Sequence, residues 1–412
     1  MLERFRHKVE ELRGLIADLR SASVSMDQGG SQGCRKNPSH FVGPSPCGQG
    51  GSTLSAPLTS TFDNRCLLAV SGGIDSMCLA DLWLRCFGAG SFAIAHCNFH
   101  LRGEESDGDE ALVTKWAEEN GVRMHRVDFD TVGYAAGNGL SIEMAARELR
   151  YRWFGELCQE HGYEAVVVAH HADDNAETLV LNMVRGAGLK GLTGMKPVSS
   201  LPCGNGVLLR PLLTFTRKQI EGHVFAWKVP YREDSTNNSV EYRRNSIRHE
   251  VFPLFERMNP SYVRTLNREM TYLSDASSIV EEWCKEHVDN VLSPLSFRPS
   301  EASGEISLSI PRLLKIPQWR YLLYYILEPY GFNTSVLASL ENLLMSDRTI
   351  SGKRFESMTH TLRTERDILV VCPREDGVHD PEAFMPVRGA GAYHCNGRRF
   401  VVEVLPWSAE MP

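Results

Sequence analysis

The 412-residue chain contains no apolar run long enough to cross a bilayer, and its first residues are charged instead of following a signal-peptide pattern. Its 11 cysteines include no C-x-x-C pair, which argues against a disulfide framework or a standard zinc site. The formal net charge of −7 gives no overall attraction to nucleic acid, so any RNA-binding surface must be local. These absences predict a cytoplasmic protein with reduced thiols and no membrane partner.

Strands and helices alternate in the predicted structure of residues 65–215, which we assign to one domain. The pure apolar run at 165–169 predicts a central parallel strand. The alternation predicts an α/β fold with a doubly wound, mainly parallel sheet, which binds ligands at the carboxyl ends of its strands. The predicted strands are 66–70, 92–96, 123–128 and 165–169, and the predicted helices include 104–120, 141–161 and 173–185.

The remaining segments differ from this domain in composition. Residues 1–26 place apolar side chains on one face and predict a helix. Residues 27–64 are rich in Gly, Ser and Pro and predict a flexible insertion, in which Cys34, His40 and Cys47 match no standard metal-binding spacing. We predict a helical segment at 216–290 and a small α+β C-terminal region at 291–412.

The stretch LLAVSGGIDSM at residues 67–77 predicts a strand, a glycine turn and the start of a helix. Such a turn binds phosphate, because the N–H groups of the first helical turn point at the anion. Gly72 and Gly73 can take positive φ, and Ser71 and Ser76 add hydroxyl donors. The stretch lacks the lysine of a Walker A loop, so it indicates another kind of phosphate loop.

A second motif, residues 170–178, places two histidines and three carboxylates where a predicted strand meets a predicted helix. Asp174 and Glu177 are three residues apart and share a helix face. A structural alternative makes Asp173 an N-cap and Glu177 its partner in the first turn. Acids at the ligand end of the sheet, opposite a phosphate loop, favour binding of Mg²⁺ or an amine substrate.

Arginines occur in two further motifs. Arg147 lies four residues after Glu143, so a surface ion pair and a phosphate contact stay equally open. Residues 242–248 combine three arginines with an asparagine and a tyrosine, a set that suits RNA phosphates and base stacking. Between residues 210 and 270 there are 11 Lys and Arg against 7 Asp and Glu, although a solvated helix face would have the same composition.

The order Ser-Gly-Gly-x-Asp-Ser resembles the loop of the PP-loop ATP pyrophosphatases, which cleave ATP between its α- and β-phosphates. Taken with the other motifs, the sequence resembles one branch of them, the tRNA(Ile)-lysidine synthetases. The resemblance covers residues 66–290 strongly and continues weakly through 351–355. It is carried by residues 71–76, 96–102, 143–151, 173–178, 185–195, 210–212, 234–237 and 244–248 with Pro253 beyond.

This resemblance implies a ligase that joins free L-lysine to C2 of the cytidine at the first anticodon position of tRNA(Ile) with a CAU anticodon. ATP would first adenylate the cytidine with release of pyrophosphate, and lysine would then displace AMP to give lysidine. Longer family members carry a basic segment that we do not find after residue 375, so the resemblance predicts a shortened C-terminal region.

The family's functional residues map onto matching positions of this sequence. ATP would bind to residues of the loop and the second strand, and Mg²⁺ to Asp75 and Asp174. Asp174 and Glu177 would bind the lysine, and one of them would accept its proton. The implied ATP-binding residues are Ser71, Gly72, Gly73, Ile74, Asp75, Ser76, His96 and Asn98; the catalytic residues are Asp75, Arg147, Asp174 and Glu177; the tRNA-binding residues are Arg185, Arg244, Asn245 and Arg248.

Three other functions stay open. A PP-loop tRNA thiolase is disfavoured by the absence of a C-x-x-C pair and by Ile74, where cytidine-thiolating relatives carry lysine. A small-molecule amide ligase such as GMP or NAD synthetase is a second alternative, although a glutamine-hydrolysing partner domain is not evident. A non-catalytic RNA-binding module would not need both Asp174 and Glu177. The sequence leaves open the oligomeric state, a homodimer included, and the identity of the general base.

Overall fold

A computed structural model describes residues 1–27, 66–203, 206–233, 242–292, 305–346, 352–374, 391–395 and 398–402. It divides into two compact units, Met1–Trp283 and Cys284–Pro412. The prediction of a flexible insertion, with Cys34, His40 and Cys47, lies outside the described residues except at Asp27, which ends the first helix. Within the described part of the chain, no helix combines the length and the apolar character needed to span a membrane.

The first unit alternates strands and helices, as predicted. Its strands are β1 (Cys66–Ala69), β2 (Phe92–Asn98), β3 (Arg123–Asp128), β4 (Ala165–Val167), β5 (Val198–Ser200) and β6 (Val207–Leu209). Its helices are α1 (Leu2–Asp27), α2 (Ile74–Phe87), α3 (Glu104–Glu119), α4 (Thr131–Asn138), α5 (Ile142–His161), α6 (Ala172–Arg185), α7 (Gly188–Gly191), α8 (Arg217–Trp227), α9 (Tyr242–Ser246), α10 (Phe252–Met258) and α11 (Tyr262–Val291), whose residues after Trp283 belong to the second unit; Ile247–Val251 forms a π-helical turn and Pro211–Thr214 a 3₁₀ turn.

The six strands form one sheet in the order β3-β2-β1-β4-β6-β5. Every neighbouring pair is parallel except β5 and β6, which are antiparallel. The prediction of a doubly wound, mainly parallel sheet with a central strand at 165–169 is therefore confirmed. The chain builds outward from β1 through β2 to β3, then returns to β4 on the other side of β1. The carboxyl ends of β1 and β4 thus form the switch point at which such sheets bind ligands.

Alternate residues of the strands supply two hydrophobic layers. On β1, Leu68 packs in the layer that also contains residues of α1, α2 and α8, while Leu67 packs with residues of α5 on the other face. The predicted apolar face of α1 is confirmed at Phe5, which is buried and meets Trp83 of α2 edge-on, with ring centroids 6.0 Å apart. Helices therefore cover both faces of the sheet, as its parallel strands require.

The second unit contains an antiparallel sheet in the order β7-β10-β9-β8. Buried leucines of its helices, among them Leu322 and Leu340, belong to its core residues. The apolar runs at 368–372 and 399–404 also predict strands, and the structure has strands at 368–373 and 398–402, where the described residues end. The elements are β7 (Ile306–Ser309), α12 (Ile310–Leu314), α13 (Trp319–Leu327), α14 (Thr334–Leu344), β8 (Arg354–Glu356), β9 (His360–Thr364), β10 (Ile368–Pro373), β11 (Gly391–Cys395) and β12 (Arg398–Val402), with a 3₁₀ turn at Glu328–Tyr330.

Candidate active site

The glycine turn between β1 and α2 has the geometry of a phosphate loop. Gly72 has φ of +96°, a conformation that L side chains rarely adopt, whereas Gly73 has φ of −74° and precedes the first helical residue. The hydroxyl of Ser76 donates to the carbonyl of Gly73 at 2.9 Å and accepts the N–H of Ser71 at 3.1 Å. The two serine hydroxyls lie 3.2 Å apart. These bonds hold the turn in shape at the start of α2.

Two of the predicted ATP-binding residues lie on β2 and contact other parts of the protein. The buried His96 uses Nδ1 to contact the carbonyl oxygen of Val70 at 2.8 Å, which ties β2 to the residue just before the loop. The buried Asn98 donates its amide to Asp107 at 3.2 Å and to Glu110 at 3.1 Å. Their polar atoms thus already contact protein atoms, and direct contact with ATP stays a prediction.

A carboxylate that the sequence did not single out braces the same loop. Asp109 accepts a hydrogen bond from Arg102 at 2.8 Å and one from Arg232 at 3.0 Å. The N–H of Arg232 donates to the carbonyl of Gly72 at 3.0 Å. A Cβ at Gly72 would lie 3.3 Å from the Cβ of Asp109, so only glycine fits without displacement. The brace joins residues more than a hundred positions apart, which local pattern cannot reveal.

Asp75 lies in the first turn of α2 and faces the start of α8. Its Oδ2 accepts a hydrogen bond from the guanidinium of Arg217 at 2.6 Å, and the N–H of Arg217 donates to Asp173 at 2.8 Å. Burial raises the pKa of Asp75, although His171 and Arg217 act in the opposite direction. Its Oδ1 is buried without a hydrogen bond. Sequence reasoning missed Arg217, whose only local signal is its position after the N-cap Thr216.

The acidic motif begins α6, but Asp173 is not its N-cap, so that structural alternative is wrong. His171 is the cap. Its ring Nδ1 accepts a hydrogen bond from the backbone N–H of Asp173 at 3.2 Å, and its backbone N–H donates to the Asp174 carboxylate at 3.0 Å. The other ring nitrogen lies 3.6 Å from Asp75 and 3.5 Å from Asp174. His171 has an extended backbone just before the first turn of α6, and its imidazole lies between the phosphate loop and the acidic helix.

Arg248, a predicted tRNA-binding residue, lies against the two predicted lysine-binding carboxylates. Its guanidinium donates to Asp174 at 3.1 Å and to Glu177 at 3.1 Å, with a second, closer contact to Glu177. The Glu177 side chain is only 1% exposed, and burial raises its pKa even though Arg248 opposes the shift. Arg248 belongs to the π-helical turn, so its side chain cannot be placed by assuming regular helical spacing from Arg244.

The remaining predicted residues lie at different distances from this centre. Arg244 contributes to the electrostatic environment of both Glu177 and His170, and Asn245 is half-buried beside it. Arg147 is exposed on α5, and its guanidinium carbon lies 5.0 Å from the centroid of the Tyr151 ring. Its side chain therefore contacts that ring and not Glu143. Arg185 is exposed at the far end of α6, more than two helical turns from Asp174.

His170 adds a neutral group next to the acidic helix. Burial lowers its pKa to about 4, against the charge of Asp174 and together with Arg210 and Arg244. Its Nδ1 is buried without a hydrogen bond. The structure therefore brings Asp75, His171, Asp174, Glu177 and Arg248 together at the switch point of the sheet.

Comparison with known proteins matches this architecture. Residues 51–255 match the family model of the PP-loop domain, and residues 301–374 match that of the TilS substrate binding domain. The glycine loop, the parallel sheet and the acidic helix thus define a PP-loop protein, a class that uses ATP.

Curated relatives specify the class further. The chain is 43% identical over 322 residues to the tRNA(Ile)-lysidine synthase of Porphyromonas gingivalis. The aligned region covers 78% of this chain and 66% of the relative. The enzyme of the same name from Parabacteroides distasonis is 41% identical over 76% of this chain and 67% of its own length. That from Chlorobaculum tepidum is 36% identical over 68% of this chain and 82% of its own length. The chain belongs to the tRNA(Ile)-lysidine synthase family, and it spans about two thirds of the Porphyromonas relative.

Proposed function

We propose that this chain is a ligase that joins free L-lysine to C2 of the cytidine at the first anticodon position of tRNA(Ile) with a CAU anticodon. The observation that most supports this is the meeting of the phosphate loop with the acidic helix, where His171 lies 3.6 Å from Asp75 and 3.5 Å from Asp174. ATP activation and amine attack can therefore occur in one place. Membership of the lysidine synthase family supports the choice of substrates.

In the first step, O2 of the cytidine attacks the α-phosphate of ATP. The new O–P bond replaces the bond between the α-phosphorus and the bridging oxygen, and pyrophosphate leaves. Residues 71–76 would bind the pyrophosphate through the N–H groups at the start of α2 and through the Ser71 hydroxyl. Arg147 would stabilise the phosphate or the activated cytidine, as the family resemblance implies.

Mg²⁺ fits the loop carboxylate but not a cage of protein ligands. Asp75 has a buried Oδ1 without a hydrogen bond, and Asp174 lies 3.5 Å from the same His171 ring nitrogen that is 3.6 Å from this oxygen. Among the described residues there is no cluster of three or more metal-ligating side chains. Mg²⁺ usually takes one or two carboxylates together with substrate phosphates, so Asp75 and Asp174 would suffice to hold it. When bound, it would neutralise charge on the phosphates.

In the second step, the ε-amino group of lysine attacks C2 of the adenylated cytidine. The C–N bond forms, the bond from C2 to O2 breaks, and AMP leaves with that oxygen. The ammonium must first lose a proton, and a carboxylate with a raised pKa accepts a proton more readily. Glu177 meets this condition, because burial raises its pKa. Asp174 would orient the amine from the same helix face.

The tRNA would be held by basic residues around this centre. Arg244 and Asn245 lie beside the acidic helix, and Arg185 is exposed at its far end. Arg248 would act mainly by positioning Asp174 and Glu177, which it already contacts. A cytoplasmic location stays our prediction, because tRNA, ATP and free lysine all occur in the cytoplasm.

An assay with [α-³²P]ATP tests the order of the two steps. Without lysine, we expect the label to accumulate on a tRNA transcript with a CAU anticodon, and addition of lysine to release it as AMP. Asp75→Asn is the control, because it removes the charge of a loop carboxylate. If label is never found on the tRNA while ATP is still consumed, the reaction does not pass through an adenylated cytidine. Release of AMP from the labelled tRNA only when a sulfur donor is added would indicate a thiolase. Transfer of the label to a small acid instead of the tRNA would indicate an amide ligase.

A further inference from the structure

A groove of about 780 Å³ lies beside the first turn of α6. It is formed by α1, the first turn of α6, the loop after α7, the Pro211–Thr214 turn and α11. Ala172 and Asn175 of α6 line it, so it begins one residue on either side of the Asp173–Asp174 pair. The proposed reaction does not use any of its side chains.

The groove is basic although the whole chain is acidic. Five of its lining residues are cationic, whereas Asp275 is the one carboxylate among them. Two of the cations contact acids just outside the lining: Lys8 pairs with Glu11 at 2.7 Å, and Arg268 lies 3.6 Å from Glu269. The five cations are Arg4, Lys8, Lys196, Arg264 and Arg268. They come from three separate elements, so the charge is a property of the groove and not of one helix.

Besides these charges, the lining contains hydroxyl and amide groups together with the apolar residues Ala172, Met195, Pro197, Leu213 and Met270. Four threonines, one serine, two asparagines and one glutamine line the groove, and no aromatic ring does. Proteins contact the phosphates and sugars of nucleic acids with arginine, lysine, hydroxyl and amide side chains, whereas base recognition in single strands relies on stacking with aromatic rings. The composition therefore suits an RNA backbone and provides no stacking surface for its bases.

The groove is also rigidly connected to the catalytic helix. Asn175 donates to Asn267 of α11 at 2.9 Å, and Asn267 donates to the carbonyl of Ala172 at 2.9 Å. The N–H of Met195 donates to Asn175 as well, at 2.6 Å. Any strand bound in the groove would therefore be held at a fixed position relative to Asp174 and Glu177.

We propose that this groove binds the phosphate backbone of the substrate tRNA next to the nucleotide that enters the active site. This inference rests on the proposed function for the identity of the RNA. A cytidine that reaches Asp174 brings the neighbouring phosphates of its strand with it, and the groove, which begins at the flanking residues Ala172 and Asn175, offers cations to them. Because it lacks aromatic rings, its contribution is independent of sequence and does not select the CAU anticodon.

The test uses Arg264→Gln/Arg268→Gln, since both arginines are exposed on α11 and neither lies in the catalytic machinery. Each lost phosphate contact should reduce the slope of log K against log salt by about 0.7 to 0.9. We expect weaker binding by the same factor for transcripts with CAU and GAU anticodons, a higher KM for tRNA, and an unchanged kcat. The melting temperature should stay within experimental error, because exposed substitutions change stability little.

The matched control is Lys115→Gln/Arg126→Gln, which removes two exposed cations from α3 and β3 near the other edge of the sheet. Its salt slope should equal that of the wild type. An unchanged slope in the α11 variant, or a loss confined to the CAU transcript, would overturn the proposal. If the wild type binds tRNA but transfers no lysine, the proposed function fails instead, and the groove is still judged by the slope. Loss of binding to a polyglutamate peptide without loss of tRNA binding would show an acidic protein partner and also reject the groove's assignment to RNA.

Discussion

At the residue scale, the most informative contact is that between Arg248 and the two acids of α6. The sequence identifies each residue, but the pairing of Arg248 with Glu177 joins positions 71 residues apart. Pattern and spacing favoured an outward, RNA-binding role, since they treat 242–248 as a regular helix. The π-helical turn at Ile247–Val251 breaks that regularity, and no local signal announces it. In the structure, the contacts of Arg248 with Asp174 and Glu177 therefore give it a positioning role.

We expect Arg248→Gln to lower the free energy of unfolding by about 1–3 kcal/mol, because Glu177 would lose its partner while staying buried. Glu177→Gln should remove much of this penalty, so the double variant should be more stable than the sum of the two single losses predicts. Urea unfolding of all four proteins measures the coupling. Arg257→Gln, an exposed substitution on α10, is the control. Additive losses would mean that Arg248 and Glu177 do not stabilise each other.

A second prediction concerns Asp81, whose Oδ2 lies 2.7 Å from Nε2 of the buried His223. Burial alone would raise the pKa of Asp81, but hydrogen bonds from His223 and Arg85 outweigh it and lower the pKa. The folded value therefore lies below the unfolded value of about 3.9. The carboxylate thus stabilises the fold above about pH 4, and this contribution is lost as the pH falls through the folded pKa.

Accordingly, Asp81→Asn should reduce the free energy of unfolding by about 1–3 kcal/mol at pH 7. The difference from the wild type should shrink as the pH is lowered below about 4, because the carboxylate takes up a proton in the unfolded chain before it does so in the folded protein. Denaturant titrations at pH 7 and pH 3 provide the comparison. A difference that is equally large at both pH values would show that the charge of Asp81 does not contribute.

At the scale of elements, the phosphate loop shows what the sequence can and cannot predict. Two glycines after a buried strand predicted the turn, and β1 and α2 lie where the apolar runs placed them. The sequence could not distinguish the two glycines, because the need for positive φ at Gly72 depends on Asp109 and Arg232, which arrive from other elements. The prediction of Asp173 as the N-cap of α6 was wrong for a similar reason. His171 is the cap, and its ring lies near Asp75 of α2, a contact that the local sequence does not reveal.

We therefore expect Gly72→Ala and Gly73→Ala to differ. Alanine at 72 would hold φ near +96° and place its Cβ 3.3 Å from that of Asp109, whereas at 73 the nearest atom is 3.6 Å away and φ is ordinary. Gly72→Ala should lose about 1–2 kcal/mol of unfolding free energy, the usual penalty for an L residue in this region. Gly73→Ala should lose much less. Equal losses, measured by urea unfolding, would contradict the braced-loop geometry.

At the scale of the whole molecule, the sequence predicted the fold class, the order of the elements and the family. Apolar periodicity is a local property, so the alternation of strands and helices was visible before the structure. The arrangement of the site was less visible, since it depends on contacts such as Arg217 with Asp75, 142 residues apart. Arg217, Asp109 and Arg232 were missed for this reason, whereas Asp75, Asp174 and Glu177 belong to contiguous motifs that the sequence alone can single out, and their roles stay predictions.

Attachment of lysine to a cytidine in a CAU anticodon can be measured by the incorporation of radiolabelled lysine into tRNA(Ile) transcripts. The transcripts differ only in having a CAU or a GAU anticodon and are tested with and without ATP. We expect ATP-dependent labelling of the CAU transcript, located at the first anticodon position by nuclease digestion, and none of the GAU transcript or with Asp174→Asn. Absence of lysine from the CAU transcript under conditions where the Porphyromonas gingivalis relative labels it would show that the proposed function is wrong.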